Sequence, residues 1–100
     1  MVKHIVIWKL KESAHGNTAR ENALLIKQML EGLKGIIPGI ITIEVGIDIS
    51  RTDMSGDIVL YSEFESKEAL DNYQSHPEHK KIMPFILEAR EERRIVDYEW

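Results

Sequence analysis

The stretch VKHIVIWKLK, Val2 to Lys11, alternates with a period of two, which is typical of a β-strand. One face carries Val2, His4, Val6, Trp8 and Leu10. The other face carries Lys3, Ile5, Ile7 and Lys9. Because apolar side chains occur on both faces, this strand is predicted to need cover on both sides.

The pattern changes to a helical period after this strand. Asn17 or Thr18 is a suitable helix cap, and Thr18 with Glu21 has the spacing of a capping box. An apolar stripe then predicts a helix of about five turns that stops within residues 35–39. The stripe consists of Ala19, Ala23, Ile26, Met29, Leu30, Leu33 and Ile37.

Two strands are predicted in the middle of the chain. Residues 40–49 are rich in β-branched side chains, and residues 57–64 form a second such run after a polar loop, so the pair is expected to be a hairpin. The first of these strands places one row of apolar residues on a single side. The row is Ile41, Ile43, Val45, Ile47 and Ile49.

The last third of the chain is predicted to contain a broken helical region and a final strand. A short helix is expected over residues 66–75, and Pro77 suits the first position of a new helix that Pro84 disturbs. Residues 88–94 are interpreted as a solvated helix end, and residues 93–100 alternate as a strand.

The resulting order is β-α-β-β-α-β, which predicts an α+β, ferredoxin-like fold with a four-stranded antiparallel sheet and both helices on one face. The second face would leave an apolar patch larger than monomers usually expose. We therefore expect a homodimer that packs sheet to sheet.

Composition restricts the class of function. A chain of 100 residues, 43% of them apolar, predicts one domain over residues 1–100. Its 13 Lys and Arg and 17 Asp and Glu are mixed along the chain, which argues against nucleic-acid binding. The absence of cysteine excludes disulfides and favours the cytoplasm. The apolar runs are interrupted, so neither a signal peptide nor a membrane span is predicted.

The segment YQSHPEHKKI, Tyr73 to Ile82, contains the candidate chemistry. Pro77 extends the backbone at His76 and would bring His79 back toward Tyr73. Because a helix N-terminus disfavours an imidazolium, His79 is predicted to be a neutral base. Tyr73 can donate to an oxygen that gains negative charge. In the structural alternative, Tyr73 faces the core, His76 caps the helix and His79 is solvated.

A metal site is the other interpretation of these histidines. His76 and His79 are three residues apart, and Glu78 or His4 could add a ligand. The spacing is not H-E-x-x-H, and the sequence offers no clear third ligand, so we predict neither a metal nor another cofactor. His4 alone is interpreted as a hydrogen-bonded residue of the core.

Four segments carry a family resemblance. They are MVKHIVIWKLK at the start, IPGIITIEVG at residues 37–46, F-x-S-x-E-A-L-x-x-Y-x-x-H-P-x-H at residues 64–79, and DYE at residues 97–99. Together they resemble the stress-responsive dimeric α/β-barrel family, called Dabb. The resemblance implies a ferredoxin-like protomer whose sheet pairs with a second copy to form a dimeric barrel.

The resemblance also implies candidate site residues. A plant polyketide cyclase class in the family closes its substrate by aldol condensation without metal or cofactor, and its catalytic tyrosine and histidine correspond to Tyr73 and His79. His4, Asp57 and His76 are assigned to the ligand pocket. Asp57 stands where the cyclase pattern has another histidine, so it is interpreted either as a carboxylate partner for His4 or as a departure from a cyclase pocket.

The sequence is consistent with three functions. The leading hypothesis is a stress-response-type barrel that holds a small apolar or aromatic ligand between sheet and helices, with cofactor-independent acid-base catalysis by Tyr73 and His79. The second is a dimeric binding or stability module without chemistry. The third is a cofactor-free monooxygenase, which would share the architecture although no residue points to it.

Overall fold

The computed structural model describes all residues from Met1 to Trp100. Its elements are β1 (Val2–Leu10), β2 (Ser13–Ala14), β3 (Asn17–Thr18), α1 (Ala19–Glu31), β4 (Ile40–Ile47), β5 (Ile58–Phe64), α2 (Lys67–Ser75), α3 (Pro77–Ala89) and β6 (Arg90–Glu99). Four strands form an antiparallel sheet in the order β4-β5-β1-β6. This arrangement confirms the predicted α+β, ferredoxin-like fold.

The register of β1 explains which side chains meet under the helices. His4 lies between Ser62 of β5 and Asp97 of β6, while Trp8 lies between Ile58 and Arg93. Cross-strand partners point to the same side of a sheet, so these residues share the inner face. The inner face and the helices bury one apolar core that includes Val6, Ile26, Leu60, Leu70 and Ile86.

Helix α1 begins as the sequence predicts and ends earlier. Thr18 and Glu21 form both hydrogen bonds of the capping box. The prediction of about five turns was wrong, because the helix ends at Glu31 and Gly32 follows as its C-cap. Leu33 and Ile37 are buried, but they lie after the helix, in the turns around Gly35, which has a φ of 87°. The helical spacing of apolar residues therefore extends beyond the end of the helix, which is why the sequence predicted too long a helix.

Helices α2 and α3 meet at the predicted break. Ser66 caps α2, and Pro77 occupies the first turn of α3. The prediction that Pro84 disturbs α3 was wrong, since the helix continues to Ala89. Proline removes one helical hydrogen bond, and the burial of Ile82 before it and Ile86 after it holds the two parts in line.

Two further boundaries differ from the prediction. Residues 90–94 are not a helix end, because β6 begins at Arg90 and pairs with β1 as far as Leu10. In β4, the predicted apolar row ends at Ile47, and Ile49 is 92% exposed in the loop that follows. Ile43, Val45 and Ile47 oppose inward residues of β5. The remainder of the row does not form part of the core.

A short hairpin, β2 and β3, precedes α1 and has no counterpart in the sequence prediction. His15 and Gly16 form its turn, both with positive φ angles. The His15 ring stacks on Phe85 with centroids 4.0 Å apart. The buried side-chain amide of Asn22 donates to the Ala14 carbonyl. These contacts attach the hairpin to α3 and α1.

The outer face of the sheet has no helix packed against it. Its apolar and aromatic residues include Ile5, Ile7, Val59, Tyr61, Val96 and Tyr98. Val96 is 60% exposed, and the Lys3 ammonium lies 4.9 Å from the centroid of the Trp100 ring. The prediction that β1 is apolar on both faces is confirmed.

Candidate functional site

A cavity of about 430 Å³ lies between the inner face of the sheet and the helices. Three of the predicted residues, His4, Tyr73 and His79, line it together. Its apolar walls are formed by Val6, Trp8, Leu30, Leu60, Met83, Pro84, Ile86 and Leu87. The cavity therefore combines an apolar interior with a few titratable groups, as ligand sites in proteins usually do.

Tyr73 stands at the centre of the three titratable side chains. Its ring centroid lies 4.5 Å from that of His79 and 6.2 Å from that of His4. The hydroxyl is buried and has no hydrogen-bond partner within the chain. Burial also raises the pKa of Tyr73, so the phenol stays protonated at neutral pH. The protonated phenol is therefore a hydrogen-bond donor that no group of the chain satisfies.

Trp8 supplies a second donor of the same kind. Trp8 lines the cavity, and its indole nitrogen is buried and has no hydrogen-bond partner within the chain. Most buried polar groups in folded proteins are paired, and an indole N–H can only donate. Two residues that line the cavity therefore each carry a buried donor without a partner in the chain.

His79 is held in one tautomer by the end of α2. Its Nδ1 lies 3.1 Å from the carbonyl oxygen of Gln74. A carbonyl only accepts, so Nδ1 carries the proton and Nε2 keeps a lone pair. Burial is the largest cause and lowers the pKa of His79, the hydrogen bond to the Gln74 carbonyl acts in the opposite direction, and the charge of Arg93 lowers the pKa further. The neutral imidazole is therefore favoured at neutral pH.

His4 has a carboxylate partner, but it is not the one that was predicted. Its Nδ1 lies 2.5 Å from Oδ1 of Asp97 on β6. The carboxylate accepts the Nδ1 proton, which fixes the ring and leaves Nε2 free of protein partners. His4 is 2% exposed, so this pair holds an oriented imidazole at the buried part of the cavity.

The assignment of Asp57 to His4 and to this pocket was wrong. Asp57 lies beside the far end of β1, where its Oδ2 accepts the Leu10 N–H at 2.6 Å. Strands β1 and β5 are antiparallel, so Ser62 opposes His4 and Asp57 lies five residues away, about 16 Å along the strand. Asp57 lines a separate polar hollow with Lys9, Arg20 and Arg51.

His76 also lies outside the lining of the cavity. Its Nδ1 accepts the Glu78 N–H at 3.0 Å, and His76 is the N-cap of α3. Its assignment as a ligand-binding residue is therefore not supported by its position. Its contribution is to begin the helix that positions His79.

The structure contains no group of three or more His, Cys, Asp or Glu side chains that could hold a metal ion. None of its helices has the length and apolar character needed to span a bilayer.

Comparison with protein families gives a match over nearly the whole chain. The model described as the Stress responsive A/B Barrel Domain, Dabb, matches residues 2–100. The chain belongs to the Dabb family. Comparison with curated proteins found no match.

Solved structures similar to this Dabb protein share its fold. A dimeric protein with a ferredoxin-like fold from Bacteroides fragilis is 34% identical, with a TM-score of 0.87 over 99% of this chain and 95% of that one. A Dabb family protein from Mesorhizobium loti is 21% identical, with a TM-score of 0.75 over 99% and 95%. An antibiotic biosynthesis monooxygenase is 18% identical, with a TM-score of 0.76 over 100% and 98%.

The sequence did not predict four residues of the site. Three of them line the cavity, namely Trp8, Arg90 and Arg93, and the fourth, Asp97, is the partner of His4. Asp97 belongs to the DYE segment, and only the pairing of the first strand with the last brings it to His4. A register drawn for the predicted strand order could have indicated this contact. No sequence signal distinguishes Trp8 from an ordinary core residue, because its significance lies in an indole N–H without a partner.

Proposed function

We propose that this Dabb protein binds a small apolar or aromatic carbonyl compound in the cavity and moves protons on it with its own side chains, as in an aldol or cyclase reaction. The observation that carries this proposal is Tyr73, whose buried hydroxyl has no partner and whose ring centroid lies 4.5 Å from that of the neutral imidazole of His79. A donor and a base in contact are the two groups that enolisation requires.

His79 is the proposed base. Its Nε2 lone pair takes a proton from the carbon next to the ligand carbonyl, while Nδ1–H stays on the Gln74 carbonyl. The electron pair of the broken C–H bond moves onto the carbonyl oxygen and gives an enolate. Return of a proton from Nε2 to the carbon restores the ketone. Alternatively, the enolate carbon attacks a second carbonyl, whose π electrons move onto its oxygen, and the proton on Nε2 goes to this alkoxide to give the aldol product.

Tyr73 is the proposed donor to the enolate oxygen. The developing negative charge strengthens the hydrogen bond from its hydroxyl, so the interaction favours the transition state over the ground state. His4 has an imidazole held by Asp97, and it offers a second site for proton exchange with the ligand. Apolar walls limit the water that would compete for these hydrogen bonds.

Exchange of carbon-bound protons tests this reaction without knowledge of the natural substrate. We expect the protein to accelerate deuterium incorporation at the α-carbon of phenylacetone in D₂O about a hundredfold or more over buffer, as measured by proton NMR. The neutral ring of His79 is the reactive form, so the rate should rise with pH and level off. Because the pKa is lowered from 6.5, the half-maximal rate should fall below pH 6.5.

His79→Gln is the matched variant for this experiment, since it keeps polarity and volume but cannot act as a base in this range. It should remove both the acceleration and its pH dependence. A wild-type rate equal to that of buffer, with phenylacetone still stabilising the fold, would favour the alternative of a binding module without chemistry.

We further propose that two copies pack through the outer faces of their sheets. The outer face exposes apolar and aromatic side chains, and a large patch of this kind usually marks an interface. The 34% identical relative from Bacteroides fragilis is described as dimeric. A second copy offers the same apolar surface, so a symmetric contact would cover both faces.

The mass in solution should be twice the 11.6 kDa of one chain when measured by light scattering after size exclusion. Val96→Glu should shift the mass to that of one chain, because two buried carboxylates without partners would face each other. Ile95→Glu is the matched control, since Ile95 lies on the same strand but points to the inner side and is 40% exposed. A wild-type mass of 11.6 kDa would contradict the proposed dimer.

A further inference from the structure

The cavity is surrounded by charge of one sign. Lys80 from α3 and Arg90 and Arg93 from β6 all line it, and no Asp or Glu does. This bias runs against the composition of the chain, whose formal charge is −4. The three cations are therefore concentrated at the site and do not reflect the general character of the surface.

None of the three cations is neutralised by an ion pair. The four ion pairs of the chain use His4, Lys27, Lys67 and Lys81 as their cationic members. Asp97 is paired with His4, and Glu78 at the start of α3 is paired with Lys81. Glu92 lies on the same strand as the arginines but opposes Lys9. The cations remain available to a bound anion.

The register of β6 places these charges away from the buried histidine. Asp97 opposes His4, whereas Arg93 opposes Trp8, four residues and about 13 Å along the strand. Arg93 and Lys80 are exposed, while His4 and Trp8 are buried. A ligand that spans the cavity would therefore have one end toward the buried His4 and the other among the exposed cations.

The indole N–H of Trp8 adds an uncharged donor beside Arg93. It is buried without a partner and can only donate, and the guanidinium carries further donors in a planar fork. An acceptor with two oxygens and negative charge offers a partner to each of these groups. A neutral apolar ligand would leave the indole N–H unpaired and the guanidinium uncompensated.

We propose that the ligand of this cavity is a small apolar or aromatic organic acid, whose carboxylate is held by Arg93, Arg90, Lys80 and the indole N–H of Trp8. This inference rests on the proposed function, because it names the class of compound that the same cavity takes. The apolar body of the acid lies against Val6 and Leu60, and its reacting part lies toward Tyr73 and His79.

A matched pair of probes separates recognition of charge from recognition of shape. Naphthalene-2-carboxylate and naphthalene-2-carboxamide differ only in whether the substituent is charged. We expect calorimetry at low salt to show that the carboxylate binds at least about tenfold more tightly than the amide. Raising the salt from about 50 mM to about 300 mM should reduce this preference, because the cations at the cavity mouth are partly screened.

Variants of the three cations test whether the preference for the carboxylate arises in this cavity. Arg90→Gln with Arg93→Gln should remove most of the advantage of the carboxylate and change the affinity for the amide less than about threefold. Lys80→Gln should reduce the advantage by a smaller factor. Arg20→Gln is the matched control, since its side chain lines the separate polar hollow beside Asp57 and not this cavity, and it should leave the preference unchanged.

Three results would overturn the inference. Equal binding of the two probes, or a preference that survives the double arginine variant, would remove the carboxylate site while leaving the cavity as a binding site for apolar compounds. Failure of both probes to bind would overturn the carboxylate site together with the ligand binding on which it rests. Phenylacetone exchange would then decide separately whether Tyr73 and His79 still act on a neutral ketone.

Discussion

Tyr73→Phe should slow α-proton exchange about a hundredfold or more, because the enolate oxygen loses its only proposed phenol donor. The same change should leave the folded protein at least as stable as before. The hydroxyl has no hydrogen-bond partner within the chain, so its removal breaks no contact and retains the ring that packs on Phe64 and His79. The rate is therefore expected to fall without a loss of stability.

The size of the stability change follows from the burial of the hydroxyl. A buried polar group without a partner costs about 1–3 kcal/mol, so the free energy of unfolding should stay equal or rise by up to about 1 kcal/mol if solvent in the cavity satisfies part of the demand. Urea unfolding measures this quantity. A polar group that lowers stability where it stands is typical of a functional site.

Tyr61→Phe is the control for this prediction. Its hydroxyl donates to Glu63 at 2.6 Å on the outer face of the sheet, away from the cavity. The exchange rate should not change in this variant. An unchanged rate in Tyr73→Phe, or a loss of stability of more than about 1 kcal/mol, would contradict the role assigned to the Tyr73 hydroxyl.

Local pattern was sufficient to predict the main elements of this fold. Alternation in β1 and β5, the capping box at Thr18 and Glu21, and Pro77 at the start of α3 each depend on neighbouring residues in the sequence. The errors occurred where distant contacts decide the outcome. Packing on both sides of Pro84 keeps α3 intact, and pairing with β1 makes residues 90–94 a strand.

The same distinction applies to the site: contacts between residues close in sequence could be predicted, and contacts between distant residues could not. Tyr73 and His79 are six residues apart, and the helix break between them is readable from the sequence, so their contact could be predicted. His4 and Asp97 are 93 residues apart, and their pairing depends on strand order and register. Asp57 was the wrong choice because β5 runs antiparallel to β1. The start of β5, next to Asp57, therefore lies beside the end of β1, while His4 lies near the start of β1.

Gly39→Ala should lower the free energy of unfolding by about 2–4 kcal/mol, for two reasons that act at the same atom. Gly39 has a φ of 88°, which L side chains rarely adopt. A Cβ at this position would also lie 2.7 Å from the Cβ of Ala69, which cannot rotate away. Ala69 belongs to α2, four residues before Tyr73, so the clash presses on the helix that carries the proposed donor.

Gly35→Ala separates the two causes. Gly35 has nearly the same φ, 87°, but a Cβ there would have no atom within 4 Å. Gly35→Ala should therefore lower the free energy of unfolding only by the cost of the positive φ, about 1–2 kcal/mol.

Adding Ala69→Gly to Gly39→Ala should restore part of the lost stability, although glycine within a helix costs about 1 kcal/mol by itself. The double-mutant cycle from urea unfolding measures the clash directly. Equal losses in Gly35→Ala and Gly39→Ala, with no coupling to position 69, would mean that α2 yields to the added methyl group and that this contact does not fix the position of Tyr73.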